Sequence, residues 1–355
     1  MAAVRPSLLV LAALVAAPMA RAGEKAAEPT YPHKSVTKRE IGAGPQSYFL
    51  FEPAEPTPKR APVVVFHHGW LAMNPGVYGA WIEHLVRSGH IVIYPRFMEV
   101  ETPVTEYLAN SAAAVVDAFG VLEMSRAHVK PDRSQFALIG HSTGGMLSVQ
   151  MAAQARSLGL PEPKAVVAVT PGEVLRTKGP NLADVPPETL LVVVAAEHDV
   201  VTGDGDARRI YREATALPPS RKKFVLYRTD LRGRPRLWAD HLAPTASHAD
   251  FDTGDGPFRL IQMGGGSVNA IDREGFWKVA DVTLSAGFAG KTLDEALAGA
   301  SFRLGYWSDG RPVLAPIVTN DPTTLPRVVP SHGLRLVPFP AFELPKRDDP
   351  RPEDR

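Results

Sequence analysis

The chain has 355 residues, no cysteine, 45% hydrophobic residues, and 39 basic against 38 acidic side chains. A net charge of +1 provides no global field for holding nucleic acid or an anionic membrane surface. Without cysteine, disulfides, cysteine-ligated zinc or iron–sulfur sites and thiol nucleophiles are excluded together.

The first 22 residues read as a secretory signal peptide. Arg5 is the positive flank, Ser7 to Ala17 form an apolar run, and Ala20-Arg21-Ala22 is a small-x-small cleavage site. The run is shorter than the roughly 20 residues a membrane span needs. With no cysteine after it, a lipoprotein anchor is ruled out. The expected location is therefore the periplasm or the medium, with no stable membrane anchor after cleavage near Ala22. Residues 23–41 are polar and without periodicity, and the expectation for them is a mobile leader.

From Tyr48 the sequence alternates short apolar runs with helix-length segments. The runs are Tyr48–Phe51, Val63–Phe66, Ile91–Tyr94, Phe136–Ile139, Ala165–Val169, Leu190–Ala195 and Lys223–Tyr227. Between them, Val77, Tyr78, Trp81, Ile82 and Leu85 make one stripe of period near 3.6, and Val104, Leu108, Ala112, Val115 and Val116 another. Continuous apolar strands separated by helices predict an α/β fold: a single domain over 42–312, with a mainly parallel, doubly wound sheet covered by helices on both faces. Right-handed crossovers then bring the C-terminal ends of the strands to one rim, where ligands bind. Val268 to Phe288 is expected to add a last helix. Beyond Pro312 prolines recur, and 313–355 reads as a proline-rich extension ending in a charged tail, Lys346 to Arg355.

Chemistry concentrates at Phe136-Ala-Leu-Ile-Gly140-His-Ser142-Thr-Gly144-Gly145. This is GxSxG between a buried strand and a helix, the setting of a nucleophile elbow. A serine in so sharp a turn needs neighbours without bulk, which Gly140 and Gly144 provide. A serine hydroxyl also needs a base to take its proton and an acid to orient that base. The strand from Leu190 ends in Glu197-His198-Asp199, so Asp199 is the expected acid, with Glu197, Asp204 and Asp206 as alternatives. His248, late in the chain and beyond the strand Lys223–Tyr227, is the expected base; His241, seven residues earlier, is not excluded by position. The oxyanion hole requires two backbone N–H donors. Thr143 follows the nucleophile, and Trp70 lies in His67-His68-Gly69-Trp70 after the second strand. His67 and His68 lack a complementary acid–histidine cluster, so neither a metal nor another cofactor is expected.

These segments, in this order, resemble the α/β-hydrolases, and among them the chlorophyllase, dienelactone hydrolase and PET hydrolase-like group. The resemblance spans about Tyr48 to Phe288 and implies a serine hydrolase cleaving carboxylic esters through an acyl-enzyme. Thr143 stands where polyester hydrolases of this kind usually carry methionine, and their cysteines are absent, which weighs against a polyester substrate. About thirty residues separate Val169 from Asp199, too few for a large lid. His141, Phe97, Trp238 and Arg96 are candidate substrate contacts, and Leu231 to Ser247 a candidate specificity loop. The expected partner is a small-molecule ester; oligomeric state and hydrolase against acyltransferase stay open. A lipase or cutinase-like activity is the alternative within enzymes, and a non-catalytic ligand-binding protein on the same fold is the alternative of another class.

Overall fold

The computed structural model describes residues 30–173, 179–257, 259, 267–298 and 302–330. The signal peptide expected over 1–22 and the charged tail lie outside them. Nine strands form one sheet: β1 (Ser35–Ile41), β2 (Tyr48–Ala54), β3 (Arg60–His67), β4 (Ile91–Pro95), β5 (Lys130–His141), β6 (Ala165–Val169), β7 (Leu190–Ala196), β8 (Lys222–Tyr227) and β9 (Ile317–Thr319). The order is β1-β2-β4-β3-β5-β6-β7-β8-β9, parallel from β4 to β8 and antiparallel at both margins. All seven runs expected from composition are strands of this sheet.

Alternation along the strands feeds two cores. Val64, Phe66, Val92 and Ile139 point to one face, under α1 (Gly79–Arg87) and α5 (Lys278–Phe288). Val63, Val65, Ile93 and Leu138 point to the other, under α2 (Tyr107–Met124), α3 (Thr143–Ala153) and α4 (Gly205–Glu213). Because both faces are covered, the central strands can be apolar at every position. A short helix, α6 (Leu293–Leu297), opens on a capping box between Thr292 and Glu295. The helix expected over Val268–Phe288 begins as a π-helical stretch, Asp272–Trp277, and continues as α5.

β3 is flanked by β4 on one side and β5 on the other, so the winding direction of the sheet reverses there. In register, His67 at the end of β3 faces Gly140 near the end of β5. The oxyanion loop and the elbow therefore leave the sheet at its switch point, where doubly wound folds bind ligands.

Both expected domain limits are corrected. Residues 35–41 of the supposed leader are not mobile chain but β1, paired with β2 along its whole length. Its exposed Thr37-Lys38-Arg39-Glu40 gives no alternation to detect, and such charge is what protects a sheet edge from further pairing. At the other end, β9 pairs with β8 through Leu226↔Ile317 to Phe224↔Thr319. After β9 the chain is tied down by Asp204, whose buried carboxylate accepts from Arg208 Nε at 2.7 Å, Arg327 Nε at 3.0 Å and the Val328 N–H at 3.0 Å. The domain thus reaches at least residue 330, and prolines there shape an ordered strap rather than a loose extension.

Candidate active site

The elbow is strained as its sequence demands. Ser142 sits between β5 and α3 at φ 56°, ψ −124°. A non-glycine residue at positive φ costs about 1–3 kcal/mol and is retained where surrounding structure enforces it. That enforcement is steric and hydrogen-bonded. A Cβ on Gly140 would collide with the Gly144 carbonyl, and one on Gly144 with the His67 carbonyl. The Ser142 N–H donates to the Val169 carbonyl at 2.9 Å, and the Gly145 N–H to the Ser142 carbonyl at 2.9 Å.

Ser142 Oγ lies 3.0 Å from Nε2 of His241, and Nδ1 of His241 lies 2.9 Å from Oδ2 of Asp199. The three are buried in one continuous row: the Ser142 hydroxyl donates to Nε2, and the Nδ1–H donates to the carboxylate. Asp199 is fully buried and also accepts from the Val201 N–H at 3.0 Å, the Thr202 N–H at 2.9 Å and the Thr202 hydroxyl at 2.8 Å. Burial alone would raise its pKa, but the His241 charge and hydrogen bond and the Thr202 donors outweigh it, holding the carboxyl below its usual range. The other acids are engaged elsewhere. Glu197 accepts from the Thr229 N–H, Asp204 anchors the C-terminal strap, and Asp206 pairs with Arg209.

The expectation that His248 serves as the base is corrected. His248 opens the 3-10 turn Ala249–Phe251, where Nδ1 accepts from the Asp250 N–H at 3.2 Å and Nε2 stands 3.7 Å from Glu83. Its N–H is bonded to the Gly76 carbonyl, which places it against α1, away from the serine. The segment after β8 turns back early: Asp230 and Leu237 exchange N–H···O bonds at 2.9 and 3.0 Å. The Ala239 carbonyl then takes the His198 N–H at 2.8 Å. This return delivers His241 to Ser142, so the supposed specificity loop from Leu231 to Ser247 carries the histidine of the row. The Asp-X6-Leu return and the Thr229 hydroxyl that holds the Ala239 N–H at 3.0 Å leave no recognisable mark in the sequence.

His141, expected to touch substrate, is buried and links three loops instead. Its Nε2–H donates to the His241 carbonyl at 2.8 Å, an atom that can only accept. Nδ1 is therefore unprotonated and accepts the Tyr78 hydroxyl proton at 2.7 Å. Tyr78 in turn accepts the Gly69 N–H at 3.0 Å. Burial, then the His241 charge, lowers the His141 pKa to about 3, so the ring is neutral and its single N–H has one direction to point. Tyr78→Phe leaves two buried groups unpaired, the Gly69 N–H and His141 Nδ1, an expected cost of about 1–3 kcal/mol. Because the chain ties the oxyanion loop to the His241 backbone, kcat on a short ester is expected to fall about tenfold with KM within twofold. Lower stability in urea with unchanged kcat would show that the chain supports only the fold.

His67 and His68 are likewise internal. Ser148 gives its proton to the Gly144 carbonyl, so His67 Nδ1–H donates to Ser148 Oγ at 2.8 Å, and His67 Nε2 accepts from Ser111 at 2.8 Å. Burial, reinforced by His68, lowers the His67 pKa to about 3. His68 faces the Gly69 and Arg96 carbonyls; burial lowers its pKa to about 4, so the neutral ring serves one carbonyl at a time.

Of the other expected contacts, Phe97 is fully buried, stacked on His68 at 4.2 Å, and so lines no open pocket. Arg96 pairs with Asp255 at 3.0 Å and approaches Glu40 and Glu99, leaving its guanidinium tied to the protein's own carboxylates. Trp238 is 45% exposed, three residues before His241, edge-on to His198 at 5.7 Å. Trp70 packs with Leu71, Met73, Met98 and Leu147 over the start of α3, and Leu71 follows it at φ 56°. Thr143, the first residue of α3, is buried, and its N–H belongs to the first turn, whose donors have no partner within the helix. Among the described residues no group of three or more His, Cys, Asp or Glu side chains is placed to hold a metal ion.

Residues 24–197, just under half of the chain, match the Chlorophyllase family. Over 93 residues the sequence is 34% identical to chlorophyllase-2 of Arabidopsis thaliana, a stretch that is 26% of this chain and 29% of that relative's length. The family match covers the oxyanion loop, the elbow and the strand leading to Asp199, and ends before the segment that carries His241. With the sheet order and the elbow, this likeness supports a chlorophyllase-like α/β-hydrolase fold for the chain.

Proposed function

We propose that the protein is an exported serine hydrolase that cleaves carboxylic esters through an acyl-enzyme. The observation that carries this reading is the buried row Ser142 Oγ–His241 Nε2–Asp199 Oδ2, at 3.0 and 2.9 Å, on a strained elbow. Ester hydrolysis is the coarse activity that goes with the family. The row supports the steps. Ser142 Oγ attacks the carbonyl carbon while its proton passes to His241 Nε2. Asp199 keeps Nδ1 protonated, so Nε2 is the free acceptor, and it stabilises the imidazolium that forms. The Thr143 and Trp70 N–H groups receive the developing oxyanion. Collapse breaks the bond to the alcohol, which leaves with the proton from Nε2. Water, deprotonated by the same nitrogen, then releases the acid and restores Ser142. Export rests on Arg5, the apolar run and Ala20-Arg21-Ala22.

The test is intact mass after incubation with a fluorophosphonate, on wild type and Ser142→Ala side by side. One adduct on wild type and none on the variant is the expected result. No adduct on either, with both folded, would overturn the reading in favour of a non-catalytic binding protein on this fold.

A further inference from the structure

Most buried hydroxyls among the described residues are bonded. Ser47, Ser148, Thr189, Thr245 and Thr283 each donate to a carbonyl within 2.8 Å. Thr143, Thr170 and Tyr227 are the exceptions, and of the three Thr143 is the one that adjoins the nucleophile: only 6% exposed, it has an Oγ1 with no hydrogen-bond partner. Ser148 and Thr283 satisfy themselves on the carbonyl four residues back in their own helix, at 2.8 and 2.6 Å. Thr143 begins its helix and has no such carbonyl behind it. An unpaired buried hydroxyl is unfavourable in the free protein, and beside a nucleophile it calls for a partner brought by a ligand.

The space next to it fits one. Thr143 lines a cleft of about 480 Å³ that runs along α3, with Val104, Tyr107, Leu108 and Leu147 among its apolar walls. The cleft becomes polar again at Gln150, which lies two turns further along the helix, roughly 10 Å away. Gln150 Nε2 donates to Glu173 at 3.3 Å, and Glu173 pairs at 3.0 Å with Arg209, a guanidinium it shares with Asp206 and Glu213. Thus the cleft begins with one hydroxyl on the residue that follows the nucleophile, an apolar stretch comes next, and the far end offers polar groups backed by carboxylates, which disfavour an anionic ligand.

We infer that this cleft selects a compact, non-anionic ester carrying an oxygen function, a hydroxyl, keto or ether group, two or three bonds from the scissile carbonyl, and that Thr143 Oγ1 binds that oxygen. The inference rests on Ser142 being the nucleophile. A plain alkyl group filling the cleft would leave the hydroxyl unpaired in the complex as well, which is how a site built to hydrogen-bond discriminates against an analogue lacking the group.

The experiment compares wild type, Thr143→Val and Thr143→Ser on two matched pairs. One pair is 4-nitrophenyl butyrate and 4-nitrophenyl 3-hydroxybutyrate, which varies the acyl side; the other is ethyl and 2-methoxyethyl butyrate, which varies the alcohol side. Wild type is expected to prefer the oxygenated member of one pair at least tenfold in kcat/KM. In Thr143→Val, nearly isosteric, the preference falls to about one when read as the ratio of kcat/KM for the two members within the same variant, and Thr143→Ser restores it. No preference in either pair, or an equal loss on both members in Thr143→Val, overturns the inference. Fluorophosphonate labelling of the same preparations separates the two levels: labelled enzyme without preference sinks only the role of Thr143, whereas unlabelled, inactive wild type sinks the serine reading and this inference with it.

Discussion

His241→Ala is expected to lower kcat on a short 4-nitrophenyl ester by as much as about 10⁶-fold, close to the loss from Ser142→Ala, while His248→Ala stays within about threefold of wild type. The near-equality with Ser142→Ala follows from the way the row operates. Without Nε2 the Ser142 proton has no acceptor, and removing either member disables the unit rather than subtracting a share. Residual turnover would come from the oxyanion donors and binding alone. His248→Ala instead removes the acceptor for the Asp250 N–H at the start of a short turn, worth about 1 kcal/mol of stability and read by urea unfolding. The pair of variants is decisive because the two histidines are seven residues apart on one segment and only one faces the serine. Full activity in His241→Ala with loss in His248→Ala would require the segment after β8 to take a different path.

The two histidines also mark how far residue pattern alone reaches. Ser142 and Asp199 are legible because each terminates an apolar strand of the parallel sheet, and the sheet itself carries their C-terminal ends to one rim. The oxyanion loop is legible for the same reason, following Val63–Phe66. His241 is attached to no such element. Its position depends on where the chain doubles back, which is decided by backbone exchange between Asp230 and Leu237 and by one Thr229 hydroxyl. His141 illustrates a second limit: a polar residue in the motif invites a substrate role, but Tyr78 arrives from a helix entrance 63 residues earlier and turns it into an internal tie. The margins of the sheet fail for a third reason. β1 is half-solvated and charged, β9 is three residues long among prolines, and neither buries enough apolar surface to leave a periodic signature.

Asp199→Asn is expected to cost up to about 10⁴ in kcat with the fold retained, and the reason is a proton on the wrong nitrogen. The Asn carbonyl can still accept from the Val201 and Thr202 N–H groups, which turns its NH₂ toward His241 Nδ1. That ring nitrogen must then accept, so the imidazole proton moves to Nε2, where it faces Ser142 and blocks proton uptake. The same substitution has a pH signature. The Asp199 pKa is depressed in the folded protein, so its carboxylate contributes stability that is present above the ordinary carboxylate range, near pH 4, and is lost as pH falls through the lower folded value. Wild type should therefore exceed Asp199→Asn in urea stability at pH 7, and the gap should narrow on acidification below about pH 4. A gap independent of pH would mean that the charge of Asp199 contributes nothing to folding. Wild-type turnover in the Asn variant would remove Asp199 from the row altogether, leaving the His241 tautomer to be set by the Thr202 hydroxyl, 3.4 Å from Nδ1.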